Sequence, residues 1–146
     1  MSDLLHATER FLHEQIPLTL AMGVRVARFD EDGLVLTAPL EPNHNHLGTA
    51  FGGSLSAIAT LAGYALLWLE LGDRDSHVVI KGSSLKYRHP VRAGIRAVCP
   101  RIDPETLAAF RGKFARTGKA GISLRVSIVE DGVECVEFEG LFVALR

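Results

Sequence analysis

Residues 53–71 read GSLSAIATLAGYALLWLEL, and how this run is placed decides the fold. Its one charged residue is Glu70, and from residue 47 to 69 there are twenty-three residues without a charge. Length alone would let such a stretch cross a bilayer. Its composition argues against that. It opens on Gly48, Gly52 and Gly53, is interspersed with Ala, Ser and Thr, and has no flanking Lys/Arg cluster. No membrane span is expected. A helix that is apolar on nearly all sides is instead expected to be wrapped by protein on nearly all sides.

The flanking sequence supplies strands to do the wrapping. Downstream, residues 77–87 and 95–102 are β-rich and are separated by Pro90 and Gly94. Asp103-Pro104-Glu105 is a helix start, with an acidic N-cap and Pro at the first helical position; Leu107, Phe110 and Phe114 form its apolar stripe and Gly118 can end it. Ile122, Leu124, Val126 and Ile128 then alternate with polar residues, and beyond Asp131-Gly132 so do Val136, Phe138 and Phe142. Upstream, Ser2 can cap a helix carrying Leu4, Leu5, Thr8, Phe11 and Leu12. Residues 24–29 and 34–38 form a hairpin around Asp30-Glu31-Asp32-Gly33. The order is α-β-β-α-β-β-α-β-β. It implies an α+β domain in which a curved antiparallel sheet of five to six strands surrounds a long central helix, with a short extra helix between strands four and five.

At 146 residues, with no repeats or low-complexity runs, the chain is expected to be one domain, 1–146. Cys99 and Cys135 sit in apolar stretches without zinc spacing, and the N-terminus has no export pattern, so a cytoplasmic location is expected. Charge is uneven. Residues 76–129 hold eleven basic and two acidic residues, +9, which against a total of −1 leaves −10 elsewhere. That pattern fits either solvated strand faces or a basic rim for an anionic ligand such as a nucleotide phosphate. Nucleic acid is not expected, since the pI is near 6.6 and no binding motif appears.

Three pieces resemble the hotdog-fold thioesterase superfamily: Ile16-Pro17 followed by Met22-Gly23-Val24; residues 45–54, NHLGTAFGGS; and residues 85–94, LKYRHPVRAG. The second matches the N-x-x-G-x-x-H-G-G signature of phenylacetyl-CoA-type thioesterases at Asn45, Gly48, Gly52 and Gly53. The Phe-Gly-Gly-Ser version and the extra helix are most similar to the thioesterase domain at the C-terminus of the YiiD acetyltransferase. Two positions depart from the signature. Its His is Phe51, and the family's carboxylate, seven residues after the second glycine, is Thr60.

The resemblance implies hydrolysis of an acyl thioester of coenzyme A or acyl carrier protein by a homodimer or dimer of dimers. No cofactor beyond the substrate's own coenzyme A is implied. Asn45, Gly52, Gly53 and Thr60 are the catalytic candidates. Asn45 would hold water or thioester, and the helix-opening glycines would offer backbone N–H groups to the carbonyl oxygen. Substrate-binding candidates are His46, Thr49, Phe51, Ser54, Ser56, Arg88 and Arg92, the two arginines for coenzyme A phosphates. His44 and His46 are the titratable groups nearest the motif in sequence; their HxH spacing lacks a third ligand, so no metal is expected. Two alternatives stay open. One is a non-catalytic acyl-thioester binding or regulatory domain, given Phe51 and Thr60. The other is a hotdog dehydratase or hydratase, whose His-with-acid patterns are missing.

Overall fold

The computed structural model describes residues 2–73 and 75–146. Ser2 caps α1 (Asp3–Gln15), its hydroxyl accepting the Leu5 N–H at 3.2 Å. Pro17, just beyond that helix, starts a second one, α2 (Pro17–Ala21), from the first position, where its missing N–H costs nothing. Five residues carry too little periodicity to announce a helix, which is why the sequence shows only the proline. The hairpin of β1 (Arg25–Asp30) and β2 (Gly33–Ala38) leads through a 3₁₀ turn (Glu41–Asn43) to α3 (Gly52–Leu71). Then come β3 (His77–Tyr87), β4 (Ile95–Pro100), α4 (Pro104–Thr117), β5 (Lys119–Glu130) and β6 (Val133–Leu145). Asp103 accepts the Thr106 N–H at the start of α4, and Gly118 ends it with φ of 74°. Strand β4 stops two residues short of the expected 102.

All six strands join one antiparallel sheet in the order β1-β2-β4-β5-β6-β3. The β5–β6 hairpin closes through Asp131 and Gly132, with φ of 51° and 75°, the left-handed pair that a two-residue turn needs to match strand twist. The sheet curves around α3, whose Ile58, Ala59, Ala62, Ala65, Leu66 and Leu67 have no exposed surface. Each such Leu or Ile contributes roughly 1.5–3 kcal/mol by leaving water. Small residues set the contact distance, for a Cβ on Gly63 would lie 2.5 Å from the Phe142 ring. Helix α1 braces the far end of α3 by stacking Phe11 on Trp68 at 4.3 Å.

The wrapping of α3 is less complete than its composition suggests. Ser56, Ala57, Thr60 and Tyr64 stay half-buried along one strip. That strip runs beside β3, an edge strand paired only with β6, which leaves Val79 47% and Ile80 39% exposed. By length and apolarity α3 would pass for a membrane span; here it packs inside the sheet.

Register also accounts for much of the charge asymmetry. Acidic β6 lies between two basic strands, so Lys86 stands opposite Glu137 and Arg125 opposite Glu139. Arg88 pairs with Glu137, and Arg125 with Glu139 at 3.5 Å. At the end of α3, Arg101 Nη2 approaches buried Glu70 Oε1 at 2.5 Å, within ion-pair distance but off the angle of a hydrogen bond. The +9 segment is therefore partly neutralised by its own neighbours in the sheet.

Candidate functional site

The N-terminus of α3 is built by three distant pieces of chain. Asn43, buried in the 3₁₀ turn, donates from Nδ2 to the carbonyls of Met22 (2.9 Å) and Pro39 (2.8 Å), while its own carbonyl accepts the Phe51 N–H at 2.7 Å. Ala50 N–H donates to Val91 C=O at 2.8 Å, tying the helix start to the turn after β3. That turn is held by Glu130, whose carboxylate accepts the N–H groups of Arg92 (3.1 Å) and Ala93 (2.8 Å). Fixed this way, α3 begins with N–H groups on Gly52, Gly53 and Ser54 that have no partner among the described residues. They lie at the positive end of a twenty-residue helix.

Asn45 commits its amide to its own loop. Its Oδ1 accepts from Leu47 N–H (2.8 Å) and Thr49 N–H (3.1 Å), and its Nδ2 donates to Thr49 Oγ1 at 2.8 Å. Asn45 and Thr49 thus act as one unit that shapes the approach to α3. His46 and His44 are exposed on this loop, with His44 Nδ1 2.9 Å from Asn45 C=O. Phe51, in the signature His position, is the extended N-cap residue of α3 and is 56% exposed. Its ring covers Gly53, where a Cβ would lie 2.4 Å from Phe51 Cε2.

A hollow of about 280 Å³ opens beside Gly52, lined by Ala50, Leu55, Tyr87, Arg88, His89 and Pro90. Arg88 therefore borders the same hollow as Gly52. Its guanidinium is shared with Glu137, whose carboxyl it holds below the usual range (Nε to Oε2, 2.7 Å). Arg92 lines an adjoining hollow with Glu130 and Cys135 that shares His89 and Pro90 with the first. Ser54 lies in the first turn of α3, half-buried.

Thr60 and Ser56 lie elsewhere. Thr60 Oγ1 donates back to Ser56 C=O at 2.9 Å, and Thr60 lines a separate apolar groove of about 540 Å³. The walls are Ile16, Leu18 and Met22 from the α1–α2 segment, Ala57, Leu61 and Tyr64 from α3, and Val78 to Ile80 of β3, with Phe142 behind. Seven residues at 1.5 Å rise put Thr60 roughly 10 Å along the axis from Gly53. One carbonyl cannot touch both within a single chain.

Sequence reading missed Asn43, His89 and Tyr64 as site residues. Asn43 reads as a loop residue and Tyr64 as helix interior, while His89 is only part of a turn motif. Tyr64 and His89 stand in hollows with residues far away in the chain, and Asn43 bonds back to Met22, relations for which no local signal exists.

A sheet curled around one long helix, with free N–H groups where a Gly-Gly pair opens that helix, defines a hotdog-fold protein of thioesterase type. Residues 5–146 match the family described as "Putative thioesterase (yiiD_Cterm)", and the chain belongs to that family. Solved structures agree. A protein of unknown function from Chlorobaculum tepidum TLS is 35% identical over 98% of this chain and 94% of its own, with a TM-score of 0.91. A "putative thioesterase" from Shewanella oneidensis is 30% identical over the whole of both chains, TM-score 0.89. A "probable thioesterase" from Pseudomonas aeruginosa is 25% identical over 96% of this chain and 94% of its own, TM-score 0.81.

Proposed function

We propose that this protein hydrolyses acyl thioesters of coenzyme A or acyl carrier protein, and does so as a homodimer in the cytoplasm. The observation that carries the reading is the set of unpartnered N–H groups of Gly52, Gly53 and Ser54 at the start of α3, where Gly52 lines an open hollow. Such donors are fixed in place before reaction, so they can take up the charge that grows on a thioester oxygen as water attacks its carbon. Collapse of that intermediate breaks the C–S bond and releases a thiolate, a leaving group stable enough to need little acid assistance. Water must lose a proton. Among the side chains lining the hollow, His89 is the one whose type titrates near neutrality, and we assign it the role of base. Tyr87 and Arg88 border the same hollow, and Arg88 retains donors for an anionic carrier.

The roughly 10 Å between Gly53 and Thr60 supports a dimer. If both serve one substrate, they come from different copies, and the uncovered strip of α3 beside β3 is the face a second copy would use. The cytoplasmic assignment rests on two free, buried thiols, which suit a reducing compartment.

Two observations favour a binding module instead: the Phe51 ring lies over the helix start and Thr60 offers no carboxylate. Thiol release from a panel of short, long and aromatic acyl-CoAs decides between the two. The expected result is turnover of at least one ester. His89→Gln should lower kcat by on the order of 10². Binding without turnover across the panel would leave the module reading standing.

A further inference from the structure

The apolar groove along α3 contains three hydroxyl side chains, and two are committed within the chain. Thr19 donates to Leu12 C=O (3.0 Å) and Ile16 C=O (2.8 Å), and Thr60 donates to Ser56 C=O. Tyr64 has no hydrogen-bond partner among the described residues, although it sits one turn beyond Thr60 on the same face. Its surroundings are Ile16, Leu61, Val79, Ile80 and Phe142. Desolvation there pushes its phenol above the ordinary value, so at neutral pH it is a hydrogen-bond donor and no base. An apolar groove of about 540 Å³ with one uncommitted donor has the form of a small-ligand site, in which apolar walls give affinity and a lone polar group gives orientation.

We propose that Tyr64 is a specificity-determining residue: the groove takes the acyl chain, and Tyr64 Oη donates to an oxygen substituent carried on that chain. The assignment rests on the thioester reading above and narrows its substrate class to oxygenated acyl groups, such as hydroxyacyl chains. Discrimination follows from the site's own polarity. A plain hydrocarbon would cover the phenol and leave its O–H unpaired, whereas a chain oxygen in reach would pair it.

The test uses S-alkyl coenzyme A thioethers, which have no thioester carbonyl and cannot be hydrolysed. Plain chains are compared by calorimetry with chains of equal length bearing a hydroxyl at the β carbon or at the far end. At least one hydroxylated chain should bind more tightly, by on the order of fivefold, and Tyr64→Phe should erase that preference, with plain chains binding the variant at least as tightly as the parent. Hydroxylated and plain chains binding alike, or a preference that survives Tyr64→Phe, would overturn the assignment and leave the thioesterase reading intact. Failure of every thioether to bind, together with absent turnover of acyl-CoAs, would remove both. Sedimentation of Tyr64→Phe controls for a subunit contact; loss of dimer with selectivity unchanged would give the hydroxyl to the interface and end the proposal.

Discussion

Asn45 shows how a signature residue can act through its loop. Its carbonyl oxygen receives two backbone N–H groups, so Asn45→Ala strands both donors and should cost about 1–2 kcal/mol in a thermal or denaturant melt. Asn45→Asp keeps both acceptor contacts and loses only the donation to Thr49, whose hydroxyl can rotate to donate in return. Aspartate should therefore melt close to the parent. If its hydrolysis rate is also close to the parent's, Asn45 is a loop builder; a rate as low as alanine's would mark the amide as a direct participant. The sequence made this position legible because its contacts lie within five residues, inside the signature itself. Asn43, which fixes the same helix start, was illegible because the bond that ties it to another part of the chain, to Met22, is made through folding alone.

At the scale of elements, α3 was legible because nineteen nearly uncharged residues admit few placements. What the sequence did not show is which face stays open, since Thr60 and Tyr64 look like their buried neighbours until β3 ends the sheet beside them. Gly63 tests the closed face. Alanine there would gain about 1 kcal/mol of helix propensity. Its Cβ, however, would stand 2.5 Å from the Phe142 ring in a packed core, and overpacking of that kind costs about 1–3 kcal/mol. Packing should win, and Gly63→Ala should lower stability. In α4 the balance reverses: a Cβ on Gly112 meets only the mobile end of Arg116 at 3.5 Å, so Gly112→Ala should raise stability by about 0.5–1 kcal/mol. Denaturant melts of the two variants read opposite signs if contact distance governs.

For the whole molecule, the unpartnered ladder of β3 and the half-buried strip of α3 form one continuous face. The expected state at micromolar concentration is a dimer by sedimentation. Ile80→Lys puts a charge on that face and should shift the protein to monomer with loss of thioester turnover. A monomeric parent with full activity would contradict both the assembly and the sharing of Gly53 and Thr60 between copies. Strand number and order along the chain were legible from alternation and turns. The spatial order, with β3 sent to the edge and acidic β6 set between two basic strands, was not, because the β3–β6 pairing partners are 49 to 68 residues apart and leave no local trace.

The single attachment of β3 also bears on how the chain assembles and opens. Strands β5 and β6 meet across a two-residue turn, so their ladder closes a short loop; β3 must find β6 from a distance, Tyr87 meeting Val136 and His77 meeting Leu145. Loop-closure entropy places the hairpin early and β3 late. Within one subunit β3, like β1, has a neighbour on one side only, so it can detach by breaking its ladder to β6 alone. Peeling it would bare Val78 and Phe142, the wall and back of the groove beside Tyr64. If the groove takes an acyl chain as proposed, its β3 wall is an edge that can open locally, and a long chain can enter by transient detachment of one strand without disturbing the core around α3.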